Sequence, residues 1–220
     1  MNATPNFDRI ARLYRWMEWF SFGPLLHLTR TAWLHELLKA RSALVLGDGD
    51  GRFTRDLFRN NPRVRVHAVD LSAAMLQELR HRCVRDADRL LTTQTNALNF
   101  APETAHDETA YDLVVTHFFL DCLSEAEVEQ LIRTLLPSLT DNARWLVSDF
   151  QIPQQGAVRP IAALLTRTLY AAFRLLTGLR ANRLPDYASV LRGAGLVCIR
   201  RRDFLGGILI SELWQRPGSA

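Results

Sequence analysis

Lysine is nearly missing from this 220-residue chain: Lys39 is the only one among 27 basic residues, the rest being arginine. Arginine stays charged at any physiological pH and pairs in a planar fork, so the basic charge is permanent. Cysteine is scarce too. Cys83, Cys122 and Cys198 lie far apart, with no CxxC pair and no metal-ligand spacing. That excludes a disulfide framework and a zinc ribbon and suits a reduced, intracellular setting. No apolar run of membrane-spanning length is free of charge, so no spanning helix is expected. Met1-Asn2-Ala3-Thr4-Pro5 lacks the charged-then-apolar pattern of a secretory signal, and a cytoplasmic location is the expectation. Acid is missing from residues 158–202 except for Asp186, against nine arginines there and a net charge of +4 for the chain. No recognition motif or aromatic-interleaved basic strand accompanies those arginines, so nucleic-acid binding is not expected.

What is present is enough apolar material for a core, 48% of residues, in a chain of single-domain length. Residues 7–39 read as one or two helices, broken near Phe22-Gly23-Pro24, with Ile10, Leu13, Tyr14 and Met17 at helical spacing. Then the period changes. Ala43–Leu46 is a short apolar run ending in glycines, as a buried strand would be. A helix over 52–59, a strand over 64–70, a helix capped by Ser72, a weaker strand over 90–95 and a strand over 111–117 follow. Ser124 and Glu127 form a capping-box pattern for the next helix. A strand over 143–150, a long apolar helix over 158–179, a short helix over 185–193 and a hairpin over 197–204 and 208–214 complete the chain. Strands alternating with helices imply a parallel sheet covered on both faces. Ligands in such sheets bind beyond the carboxyl ends of the strands, where the strand order reverses.

The first strand runs into Gly47-Asp48-Gly49-Asp50-Gly51. Glycines allow tight turning and close approach of a ligand to the backbone, and the helix start that follows offers free amides. Asp70 ends the next strand, placed to accept hydrogen bonds from ribose hydroxyls. Together they point to a nucleoside-containing ligand. The dinucleotide fingerprint GxGxxG needs glycine where Arg52 or Thr54 stands, so the GxGxG spacing favours a smaller nucleoside without a pyrophosphate and argues against a nicotinamide-dependent oxidoreductase.

At these residues the chain resembles the class I S-adenosylmethionine-dependent methyltransferases. Leu44–Gly51 is similar to their first motif, Val66–Leu76 to their second, Thr95–Phe100 to the segment contacting adenine, and Tyr111–Val115 to the fourth strand. The ends are more loosely similar to the quinone C-methyltransferase branch, through Phe20–Gly23 and Phe204–Ile208. The resemblance implies an α/β, Rossmann-like fold: a seven-stranded, mostly parallel sheet with the last strand antiparallel, flanked by helices, with N-terminal helices as a lid. It implies one domain over 1–220, divided into a helical lid (1–40), a cofactor-binding core (41–150), a helical substrate lid (151–195) and a C-terminal hairpin (196–220). It implies S-adenosyl-L-methionine as cofactor and S-adenosyl-L-homocysteine as product. Gly47, Asp48, Gly49 and Gly51 would pass the methionine part, Asp70 would hold the ribose, Leu71 and Met75 would pack on adenine, and Asn96 and Ala97 would contact its edge. His117 would lie near the methyl group and Tyr14 would touch the cofactor from the lid. The chain departs from the family at Val45, where an acid that orients the methionine end is usual; Asp48 or Asp50 is the candidate substitute, and a non-catalytic relative is the competing expectation. Asn96 also replaces the usual aspartate of the adenine segment.

Methyl transfer needs alignment and, for a hydroxyl or activated-carbon acceptor, a base. His117, Asp121 and Asp149 follow or end strands at the expected cleft and are the candidates, although Asp121 reads equally as a cap and Asp149 as a solvent-facing residue. Trp16, Trp19, Phe20, Phe22, Phe118, Phe119, Tyr170 and Phe173 would line a pocket for a small apolar, aromatic or isoprenoid acceptor, methylated at O or C. The arginine-dotted helix over 158–179 reads as a substrate lid, a homodimer contact or a peripheral membrane contact, in that order.

Overall fold

The computed structural model describes residues 24–102, 110–152 and 184–217. Its elements in chain order are α1 (Pro24–Thr31), β1 (Ser42–Leu46), α2 (Arg52–Asn60), β2 (Arg65–Asp70), α3 (Ala73–Arg82), β3 (Leu90–Gln94), β4 (Tyr111–His117), α4 (Glu125–Leu135), β5 (Leu139–Phe150), α5 (Tyr187–Gly193), β6 (Val197–Phe204) and β7 (Leu209–Gln215). Short 3-10 turns join several of them. The expected strands are all there. The expected lid helix before residue 24, with Tyr14, and the 158–179 helix lie outside the described residues.

The seven strands form one sheet in the order β3-β2-β1-β4-β5-β7-β6. Strands β1 to β5 pair in parallel, and β7 runs antiparallel to both β5 and β6. The last strand is therefore the antiparallel one, as expected. The order reverses between β1 and β4, so the crevice that such a sheet offers a ligand opens beyond their carboxyl ends.

Side-chain alternation divides the core in two. Leu44, Leu46, Val114, Trp145, Val147, Ile210 and Trp214 pack on one face with Leu131 and Leu135 of α4 and Leu191 of α5. Ala43, Val45, Leu113, Val115, Leu146 and Leu213 pack on the other with Phe53 and Leu57 of α2 and Leu79 of α3. Both faces of β1 are apolar because both are covered, which is why its sequence reads as a continuous run instead of an alternation. Local chemistry sets the helix starts. Ser72 Oγ accepts from the Met75 amide at 3.3 Å. Ser124 and Glu127 form the reciprocal capping box, and the Asp186 side chain accepts from the Ser189 amide at 3.0 Å. The hairpin end is pinned by buried Glu212. Its Oε2 accepts from Tyr187 Oη at 3.2 Å and Trp214 Nε1 at 3.1 Å, and its Oε1 accepts from Arg201 at 2.7 Å.

Candidate functional site

The loop after β1 crosses the reversal point with Gly47, Gly49 and Gly51 all at positive φ, +67°, +64° and +78°. These are left-handed conformations that cost a side-chain-bearing residue about 1–2 kcal/mol each. The surroundings of the three differ. A Cβ on Gly47 would come within 2.6 Å of the Phe119 ring, and one on Gly51 within 2.7 Å of Leu79 Cγ and 2.9 Å of its Cα. A Cβ on Gly49 would meet only Met75 Sδ, at 4.0 Å. The chain thus presses against protein at 47 and 51 and faces space at 49.

Of the two loop aspartates, Asp50 is committed to structure. Its carboxylate pairs with Arg52 at 3.0 Å and Arg82 at 2.8 Å, and Arg82 also donates to its carbonyl at 2.7 Å, tying the loop to α3. Asp48 is buried. Its Oδ2 accepts from the Thr54 amide at 3.0 Å and hydroxyl at 2.6 Å, satisfying a free amide in the first turn of α2. Burial pushes its carboxyl up to about 6, against the pull of the Thr54 bonds and the Arg30 cation. Val45, where the acid would be expected, is 1% exposed and packs with Phe53 and Val115; no charge fits there.

Asp70 ends β2, half-buried, and its Oδ1 accepts from the Ser72 amide at 2.8 Å. Leu71 and Met75 follow it, both partly buried. Asn96 and Ala97 come after β3; Asn96 is exposed and its Oδ1 accepts from the Leu98 amide at 3.0 Å, capping a short turn, while Ala97 is buried. Gly49, Asp70, Met75 and Asn96 therefore stand along the carboxyl edge of β1, β2 and β3, as their register requires.

The three candidate bases do not share a wall. His117 ends β4 on the α2 face, its ring edge-on to Phe53 at 4.5 Å between centroids. Burial, then the Arg30 cation, hold its imidazole well below the ordinary histidine range, so it is neutral. Asp149 ends β5 on the α4 face. It is wholly buried, contrary to the solvent-facing expectation, because the 3-10 turn Leu120–Cys122 folds over it. Its oxygens accept from the Asp121 amide at 3.1 Å and the Phe150 amide at 2.9 Å. The Asp121 and Asp149 side chains also bond to each other. Burial raises both carboxyls above the ordinary range, Asp149 furthest, because two adjacent carboxylates cannot both ionise out of water.

Sequence reasoning passed over Arg30 of α1, which is 8% exposed and lies over the Phe118 ring at 5.1 Å. A single arginine in a short helix with no acidic residue was the available signal. Sequence reasoning named Phe118 as a pocket residue but not its neighbours: Phe118, at φ +52°, joins Leu26 and Leu209, with Leu25, Phe150 and Phe204 packed beside them. Leu25 and Leu26 come from α1; the others come from the carboxyl ends of β4, β5 and β6 and from the start of antiparallel β7, which all lie at one edge of the sheet. Trp16, Trp19, Phe20, Phe22, Tyr170 and Phe173 lie outside the described residues. Among the described residues no group of His, Cys, Asp or Glu could hold a metal ion, and no helix is long and apolar enough to cross a membrane.

This sheet, with its order, its single antiparallel strand and its helical cover, is the α/β methyltransferase fold. Residues 44–145 match the family described as "Methyltransferase domain", a span that holds the glycine loop, Asp70, Asn96, His117 and Asp121. No curated protein matches the sequence. Solved structures do. An O-methyltransferase family protein from Burkholderia thailandensis superposes with a TM-score of 0.68 at 18% identity, covering 97% of this chain and 59% of its own. The mitomycin 7-O-methyltransferase MmcR superposes at 0.62 and 17% identity, covering 91% of this chain and 60% of its own. The N-methyltransferase NodS from Bradyrhizobium japonicum WM9, in complex with S-adenosyl-L-homocysteine, superposes at 0.63 and 15% identity, covering 87% of this chain and 88% of its own. The chain thus spans about three fifths of the first two proteins and most of the third.

Proposed function

We propose that this chain transfers a methyl group from S-adenosyl-L-methionine to a small apolar, aromatic or isoprenoid acceptor, at oxygen or carbon. The observation that carries the reading is the pairing of a three-glycine loop at the strand-order reversal with Asp70 at the end of the adjacent strand. The residues fit the cofactor: Gly49 leaves open space beside the backbone, and Asp48 Oδ1 is a buried acceptor with no partner. When bound, the sulfonium supplies the methyl group; the chain supplies position and a proton acceptor. Asp70 takes the ribose hydroxyls, Leu71 and Met75 pack on adenine, Asn96 and Ala97 meet its edge, and Gly47, Gly49 and Gly51 pass the methionine part. The same reading assigns lid roles to 1–40, with Tyr14, and to 151–195, most of which lie outside the described residues, a core of 41–150 and a hairpin of 196–220, and it gives the second lid a dimer or membrane contact as its other roles.

The base is better sought in Asp121 than in His117. A base works best when its pKa lies near the operating pH. Burial brings Asp121 up to about 6, whereas it drives His117 away from that range. Asp149 holds the proton of the pair and positions Asp121. The apolar acceptor is supported by Phe118, Phe150, Phe204 and Leu209 at the same edge, and acceptor oxygen by the O-methyltransferase names of two structural neighbours. The apolar Val45 favours a second reading, binding without turnover. Calorimetric titration with S-adenosyl-L-homocysteine tests the common core. Wild type should bind and Asp70→Ala should lose about two orders of magnitude, from two charge-assisted hydrogen bonds. Wild-type affinity in Asp70→Ala would refute the ribose assignment, and methyl transfer to an aromatic alcohol or quinol discriminates turnover from binding alone.

A further inference from the structure

Among the described residues, three buried side-chain atoms lack a hydrogen-bond partner: Asp48 Oδ1 and both ring nitrogens of His117. They come from different elements, the β1 loop and the end of β4, and both side chains are at least nine-tenths buried. Both lie within the field of the same cation, Arg30, and are joined through α2: Thr54 bonds Asp48 and its neighbour Phe53 packs on His117. Leaving such groups unsatisfied is costly, so both call for a polar partner beside the glycine loop.

We propose that Asp48 and His117 hold the α-amino-acid end of the cofactor, Asp48 supplying the anionic group that Val45 denies to strand β1. This rests on the cofactor reading above and adds which residues replace the usual strand acid. The chemistry selects the occupant. Asp48 Oδ1 accepts only, and calls for a cationic donor. A neutral imidazole offers one donor and one acceptor. An ammonium beside a carboxylate presents both kinds of group and no net charge. A metal cation is disfavoured by Arg30 and by a donor set of one oxygen and one imidazole, and a phosphate by Asp48 itself. Asp50 is excluded from the role by its two arginine partners. Val45 is excluded by its apolar packing.

The test compares two nucleosides by calorimetry on the full chain: S-adenosyl-L-homocysteine, and 5′-methylthioadenosine, which has the same thioether nucleoside without the amino-acid end. Wild type should bind the first more tightly by an order of magnitude or more. Asp48→Asn keeps an acceptor for Thr54 but turns the free atom into a donor; it should lower affinity for the homocysteine compound about tenfold or more and leave methylthioadenosine unchanged. His117→Phe keeps the ring in its apolar setting and should lower the first affinity alone, so it decides the matter if Asp48→Asn fails to fold. Equal wild-type affinities, or variants that lower both affinities alike or neither, overturn the assignment. A folded wild type that binds neither compound overturns the cofactor reading itself.

Discussion

Gly49→Ala and Gly51→Ala separate two reasons for glycine in one loop. Both residues sit at nearly the same positive φ, +64° and +78°. Each substitution therefore carries the same left-handed cost, about 1–2 kcal/mol, partly offset by the stiffer unfolded chain. Only Gly51 meets backbone: its new Cβ would stand 2.9 Å from Leu79 Cα and 2.7 Å from Leu79 Cγ. Helix α3 would have to move, and forcing extra volume into packed structure costs a further ~1–3 kcal/mol. At Gly49 the nearest atom is Met75 Sδ at 4.0 Å, an ordinary contact. Urea unfolding should then show Gly49→Ala losing about 1 kcal/mol and Gly51→Ala ~2–4 kcal/mol, at unchanged m-value. Titration with S-adenosyl-L-homocysteine should mark Gly49→Ala out, because its methyl fills the space left for the ligand: a loss of affinity well beyond its loss of stability. Equal destabilisation by the two substitutions would refute the steric argument. Undiminished binding by Gly49→Ala would refute the placement of the ligand on that side of the loop.

The Asp121–Asp149 pair gives a pH signature. A carboxyl whose folded pKa is raised contributes stability that is complete below the ordinary carboxylate value and is lost as pH rises through the folded one; for Asp121 that window runs from 3.8 to about 6, and for Asp149 it extends higher. Asp149→Asn should therefore cost less at pH 8 than at pH 5 by chemical denaturation, and a larger cost at pH 8 would show that the pair does not share a proton. Glu212→Ala leaves the Tyr187 hydroxyl and the Trp214 indole N–H buried without their acceptor. A loss of ~2–5 kcal/mol is expected in the same assay, whereas a loss under about 1 kcal/mol would mean that water replaces the carboxylate.

The strands were legible because their chemistry is local. An apolar run stopped by glycines at 47, 49 and 51, an acid at 70, and helix caps at Ser72 and Ser124 all act within a few residues of their own position. Strand β5 begins earlier than its pattern suggests, at Leu139, which pairs with Tyr111 of β4 before a register irregularity, after which regular pairing resumes at Leu113 and Arg144. The candidate site was legible as a set of residues and not as an arrangement. The sequence could nominate His117, Asp121 and Asp149 alike, since each follows or ends a strand.

By itself, the sequence determined the order of strands and helices, the glycine loop at the end of β1 and the acid at the end of β2, since each depends on neighbours a few residues away. Tertiary structure alone decided which face each strand-end residue takes, and so parted His117 from Asp149. It also set Asp48 and Asp50 apart: Arg82, from α3, pairs with Asp50, while Thr54 takes one carboxylate oxygen of buried Asp48 and the other has no partner. Burial and charge pairing are properties of what the fold brings alongside, and two aspartates two positions apart in one loop carry no local mark of that difference.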